Sequence, residues 1–174
     1  MIDEDPRPGR FVLTGSQNLM LQRAVSQSLA GRTALVTLLP LAREEVVRFA
    51  SYPDDLFETM LTGGYPAIYD RGQAPGRWLS DYIATYVERD VRQLLGVVDL
   101  GAFQRFLRLA AGRSGQILNA SALAADAGMS HNTAIAWLGV LEATYVVARL
   151  PAYHRNVGKR VVKAPKLCFL DSGL

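Results

Sequence analysis

The sequence has one cysteine, Cys168, and two histidines, His131 and His154. A single thiol excludes an internal disulfide framework and suits a reducing compartment. Two imidazoles and one thiol are too few for a zinc site of the ordinary kind, so no metal ligand set is expected. A long apolar run is also missing. The least charged stretch, residues 127–141, includes Ser130, His131, Asn132 and Thr133 and is too short and polar to cross a bilayer. The opening Met1-Ile2-Asp3-Glu4-Asp5-Pro6 is acidic and has no apolar h-region, unlike a secretion signal. These absences together predict a cytoplasmic chain with no membrane partner.

Two catalytic signatures are absent as well. No Gly-x-x-x-x-Gly-Lys-Ser/Thr run occurs, and the Gly158-Lys159 pair is followed by Arg160. A self-sufficient nucleotide hydrolase is therefore not expected. Gly112-Arg113-Ser114-Gly115 lacks the spacing of a nucleophile elbow. The acid pairs Glu44/Glu45 and Asp54/Asp55 read as solvated residues on outward faces. Cations are unevenly spread, with no Lys or Arg between Ser114 and Ala148. A basic tail follows, with Arg155, Lys159, Arg160, Lys163 and Lys166 against Asp171 alone.

What is present suits a folded α+β chain, mainly helical. At 174 residues, 49% hydrophobic and 20% charged, it can bury a core. Residues 11–14 read as a short buried strand, and Ser16 caps a helix over 17–30 that Gly31 closes. Residues 33–39 read as a second apolar strand stopped by Pro40. Helices are expected over 41–50, 56–61 and 78–95, with a turn at Gly63-Gly64-Tyr65-Pro66 that uses glycine's freedom at positive φ. Residues 96–99 break the chain.

Beyond the break, residues 100–112, 120–127 and 131–143 predict three helices, followed by β-rich segments at 145–150 and 160–170. This is the order of a winged helix-turn-helix. Gly128 supplies the tight turn and Ser130 caps the third helix. Ala134, Ile135, Leu138 and Leu141 are expected to point inward, joined by Trp137. His131, Asn132 and Thr133 then lie at the exposed start of that helix, where phosphates or base edges would be met. Lys159, Arg160 and Lys163 would add charge from the tail. DNA is a partner on one reading. On the other, the unit is an interaction or spacer module, because this helix carries no cation.

Several runs resemble one family. They are Phe11-Val12-Leu13-Thr14-Gly15-Ser16-Gln17-Asn18, Ser28-Leu29-Ala30-Gly31-Arg32, Gly63-Gly64-Tyr65-Pro66 and Tyr86-Val87-Glu88-Arg89-Asp90-Val91-Arg92, with residues 130–141, Tyr153-His154-Arg155-Asn156, Gly158-Lys159-Arg160 and Pro165-Lys166-Leu167-Cys168-Phe169-Leu170-Asp171-Ser172-Gly173-Leu174 after them. In this order they resemble bacterial and archaeal AAA-type ATPases with a C-terminal winged-helix and nuclease-like domain of unknown function. The resemblance implies ATP and magnesium as cofactors of the intact family. It implies sensor roles for Thr14 and Ser16, with Gln17 and Asn18 as helpers and Arg32, or more weakly Arg89 or Arg92, near the nucleotide. Beside that stand plainer roles, a strand end and helix cap for Thr14 and Ser16 and a helix-terminus partner for Arg32. The family's phosphate-binding loop and acidic magnesium strand are missing.

The implied division is 1–50 as the rear of an AAA-type ATPase domain, 51–99 as a helical linker, 100–152 as the winged helix-turn-helix, and 153–174 as wing and opening of a truncated nuclease-like domain. A non-catalytic fragment is the first expectation, and a stand-alone winged-helix DNA-binding protein is the alternative. Homo-oligomerisation or a partner ATPase subunit would cover apolar surface left bare.

Overall fold

A computed structural model describes Gly9, Val12 and residues 34–87, 99–153 and 163–174. The chain divides into two units, Met1–Ala34 and Leu35–Leu174. Of the first unit little is described. The strand expected over 11–14 lies outside the described residues except for Val12, which is exposed. The helix expected over 17–30 lies outside them entirely.

The second unit is mainly helical with a small two-stranded sheet. Its first element, α1 (Arg43–Val46), begins where Glu45 accepts from the Ala42 amide at 2.9 Å and buries Val46. It is shorter than the helix expected over 41–50. Arg48 and Phe49 donate to Glu45 and Val46, three residues back, so the last turn tightens and stops. Residues 34–39, expected as strand, form none; Leu35, Val36, Leu38 and Leu39 are exposed. A strand exists only when a neighbour completes its ladder, and among the described residues none does.

α2 (Leu56–Thr62) starts at Asp55, whose carboxylate accepts from the Glu58 amide at 2.9 Å. α3 (Pro66–Arg71) is a helix that sequence periodicity did not predict. Pro66 sits at a helix start, where its missing donor costs nothing, and Gly72 closes the helix in the left-handed region. α4 (Pro75–Tyr82) opens on a second proline and runs into a π-helical turn, Ile83–Val87. The single helix expected over 78–95 therefore starts earlier and changes pitch; its end lies outside the described residues.

The three following helices were legible almost to the residue. α5 (Leu100–Ala111) is capped by Asp99, α6 (Ala120–Ala127) by Asn119 and α7 (His131–Ala143) by Ser130. Gly128, at φ 70, makes the turn between α6 and α7. Then β1 (Val147–Leu150) pairs antiparallel with β2 (Lys166–Phe169), Val147 opposite Phe169 and Leu150 opposite Lys166. The other side of β2 is also used. Ile117 bridges Lys166, the Leu167 amide donates to Gln116, and the Leu118 amide donates to Pro165. Residues 115–118, between α5 and α6, thus flank β2 opposite β1.

Two apolar clusters result. The larger buries Phe103, Phe106, Leu123, Leu138, Leu141 and Leu167, with Trp137 edge-on to both phenylalanines at 5.3 Å between centroids. Ile135 departs from expectation: it is 41% exposed, because α7 turns Ala134, Trp137, Leu138 and Leu141 inward and Ile135 falls off that stripe. Cys168 is half-buried and a free thiol. The smaller cluster holds Val46, Ile68, Tyr69 and Leu79. Leu174 packs against both clusters. The rings of Tyr65, Trp78 and Tyr82 bridge them too, Tyr65 lying 4.8 Å from Trp78 and 4.7 Å from Tyr82.

Candidate functional site

A compact constellation of polar groups lies where α2 ends. Gly63 leaves the helix at φ 74, which a side chain adopts only under strain. Its carbonyl accepts from the Tyr69 hydroxyl at 2.5 Å. The next residue, Gly64, donates its amide to the Asp171 carboxylate at 2.6 Å, and its carbonyl accepts from the Leu41 amide at 2.7 Å. The other Asp171 oxygen accepts from the Gly173 amide at 2.8 Å.

Asp171 is 3% exposed. A carboxylate is rarely buried without partners, and here two backbone amides supply them. The glycines are required by space. A Cβ on Gly63 would overlap the Asp171 carboxylate, and one on Gly64 would overlap the Leu41 carbonyl oxygen. One on Gly173 would lie 3.1 Å from the Gly63 backbone and 2.9 Å from Leu79 Cδ1. Three segments distant in sequence are therefore knotted at one point.

The tyrosines around the knot are kept neutral. Burial raises the Tyr65 pKa first, with the hydrogen bond and charge of Tyr82 and the charge of Asp171 adding to it. Burial and then the Asp171 charge raise Tyr69. Beside the knot opens a pocket of about 200 Å³, walled by Leu41, Val46, Leu56, Met60 and Leu170, with Arg43 at its lining. Among the described residues the carboxylate in its lining is that of Asp171, whose oxygens already accept from amides. Among the described residues, no three His, Cys, Asp or Glu side chains lie close enough to hold a metal ion.

The second candidate surface is the start of α7. Ser130 Oγ accepts from the Thr133 amide at 3.1 Å and lies 2.8 Å from the Thr133 hydroxyl, so Thr133 belongs to the cap. His131 Nδ1 lies 3.2 Å from Ser121 Oγ on α6. Asn132 is exposed. Two arginines of this unit are in ion pairs within it, Arg113 with Asp126 of α6 and Arg149 with Glu142 of α7. Lys163 is exposed in the stretch before β2. Of the other residues singled out from sequence, Thr14, Ser16, Gln17, Asn18, Arg32, Arg89, Arg92, Lys159 and Arg160 lie outside the described residues.

Sequence reasoning missed Asp171 as a site residue. A signal existed: a lone acid in the run Leu167-Cys168-Phe169-Leu170-Asp171, between apolar residues and a glycine. An acid in such a setting needs amide partners, and Gly63-Gly64 is a segment able to present them.

Comparison with known proteins places this geometry in context. Residues 53–174 match a family model described as a domain of unknown function (DUF8612). Residues 1–47 match a model described as an AAA domain. Two uncharacterized proteins, of Mycobacterium bovis (strain ATCC BAA-935 / AF2122/97) and Mycobacterium tuberculosis (strain ATCC 25618 / H37Rv), are each 32% identical over 176 residues, covering 100% of this chain. The chain spans 39% of the length of these relatives. No solved structure matches.

Proposed function

The chain belongs to the family described as a domain of unknown function (DUF8612), and from that premise we propose that it is the coupling portion of an AAA-type ATP-binding protein, itself without ATP turnover. The bond between Leu41 and Gly64 carries the reading. Leu41 falls in the stretch matched as AAA domain, and Gly64 in the family's own stretch. Asp171, near the far end of the sequence, holds Gly64 from the other side. A second tie lies between the Thr37 and Tyr145 hydroxyls, 3.1 Å apart. A segment fastened at two points to a helical unit is placed to pass on displacement, while the chain has no phosphate-binding loop with which to perform chemistry.

Within this reading the divisions at 1–50, 51–99, 100–152 and 153–174 are kept. The order α5, bridge at Ile117, α6, α7, β1, β2 supports a winged helix, with the β1–β2 connection as its wing. Thr14, Ser16, Gln17, Asn18 and Arg32 would face ATP and magnesium in an intact relative. They lie outside the described residues, and no chemical step is built on them. The exposed side chains of Leu35, Val36, Leu38, Phe57 and Leu61 support contact with further AAA-type structure or a second copy.

The test is an ATP hydrolysis assay on the purified chain. No turnover above background is expected. Turnover that Thr14→Ala abolishes would sink the reading, because it would require a phosphate site within this chain.

A further inference from the structure

The knot at Gly64 is more than a packing contact, since it forms a continuous relay. From Leu41 the path runs through its amide to the Gly64 carbonyl, across that residue to its amide, and into the Asp171 carboxylate. Asp171 follows β2 after a single residue, Leu170, whose amide donates to Val146 at 3.0 Å. β2 in turn is laddered to β1 and bridged to Ile117. The relay therefore joins the AAA-matching segment to the small sheet of the tri-helical unit, at the point where the two apolar clusters meet through Leu174.

We propose that Asp171 is a latch: its grip on the Gly64 and Gly173 amides makes the position of Leu41 and the position of β2 interdependent. This rests on the coupling reading above and names its mechanical element. Space supports a two-state contact over a graded one. Gly63 and Gly64 admit no added atom and Gly173 is crowded, so the carboxylate has no slack and is either seated between the amides or out of the knot. Unseating it would leave a buried carboxylate and two amides without partners at once, which is why the knot opens as a unit. Leu41 and Gly64 take part through backbone groups alone, and the Asp171 carboxylate is the side chain that closes the relay.

Amide hydrogen exchange on the unmodified chain is the first test. The Leu41, Gly64 and Gly173 amides are expected to share one exchange behaviour, faster than the core amides of Leu138 and Leu141 in α7, as one cooperative opening demands. Three unrelated rates would overturn the latch. Asp171→Asn then replaces one accepting oxygen by a donor. Exchange at all three amides is expected to rise about tenfold or more, the effect of losing a buried charge-assisted bond, with Leu138 and Leu141 changing by less than about threefold.

A rise confined to Gly64, or a uniform rise that includes α7, overturns the proposal. Coupling is reciprocal, so Tyr69→Phe, which loosens the Gly63 side, is expected to speed Gly173 exchange as well. No change at Gly173 counts against the latch. ATP turnover by the chain would remove the coupling reading without touching these rates, so the two failures are distinguishable.

Discussion

Gly63 and Asp171 lie so close that a single methyl group on the glycine would overlap the carboxylate. The backbone there is at φ 74, so two penalties fall on one position. Gly63→Ala is expected to cost about 3 kcal/mol, combining strain at positive φ with loss of the Asp171 bonds. Gly72→Ala is the control. Its φ is 58 but nothing lies within 4 Å of the added carbon, so only the backbone term of about 1 kcal/mol remains. Urea unfolding of both variants checks the difference, and equal costs would show that Asp171 is not crowded.

The knot also predicts how stability responds to base. Tyr65 and Tyr69 both have pKa values raised above the ordinary 10.0. The folded state therefore holds its phenol protons more tightly than the unfolded state. Their contribution is fully present below about pH 10 and declines as pH rises beyond it, because the unfolded chain ionises first. Thermal melts from pH 8 to 11 are expected to fall at the alkaline end. Tyr69→Phe removes one of the two groups and the bond to Gly63, so it costs about 1 kcal/mol at neutral pH and flattens the alkaline decline. A variant that loses stability but keeps the full slope would place the effect elsewhere.

How much of this was readable from sequence depends on what decides each element. α5, α6 and α7 are set by local signals: an Asp, Asn or Ser cap, an apolar stripe, and Gly128 in a left-handed turn. Each signal lies within or directly beside the helix it governs, so the boundaries of α6 and α7 were recovered. α3 was hidden because Gly63-Gly64-Tyr65-Pro66 reads as a turn, and Pro66 serves as both turn residue and helix start. The strand expected over 33–39 failed for the opposite reason. Its composition is right, but a ladder partner is a matter of tertiary structure. Asp171 belongs to the same class, for its distant partner Gly64 is 107 residues away and offers only a backbone amide, which carries no side-chain signal.

The position of Ile135 yields a contrast on one helix. Leu138 is 1% exposed and Ile135 is 41% exposed, although both are large, aliphatic and three residues apart. Leu138→Ala opens a cavity in the larger apolar cluster, and is expected to cost about 2–5 kcal/mol. Ile135→Ala removes mostly solvated surface and is expected to cost less than about 1 kcal/mol. Chemical denaturation of the two variants measures this directly. Similar losses would mean that Ile135 is covered in solution, which would point to an association through the exposed face of α7.

That same face decides the DNA question. Its exposed start offers His131 and Asn132, and α7 contains no Lys or Arg along its length. Duplex affinity depends on phosphate neutralisation, with a salt slope of about −0.9 per contacting cation. A helix with no cation contributes nothing to that slope, and His131 already faces Ser121. Asn132→Ala is therefore expected to leave any duplex affinity unchanged within about twofold, measured by fluorescence anisotropy at two salt concentrations. Asn132→Lys is the complementary probe, since an added cation at a groove-facing helix start would steepen the slope by about one unit. A tenfold loss with Asn132→Ala, or the steepened slope with Asn132→Lys, would establish that α7 docks against nucleic acid. Neither change is expected on the coupling reading, in which Asp171 and Leu41 both hold Gly64.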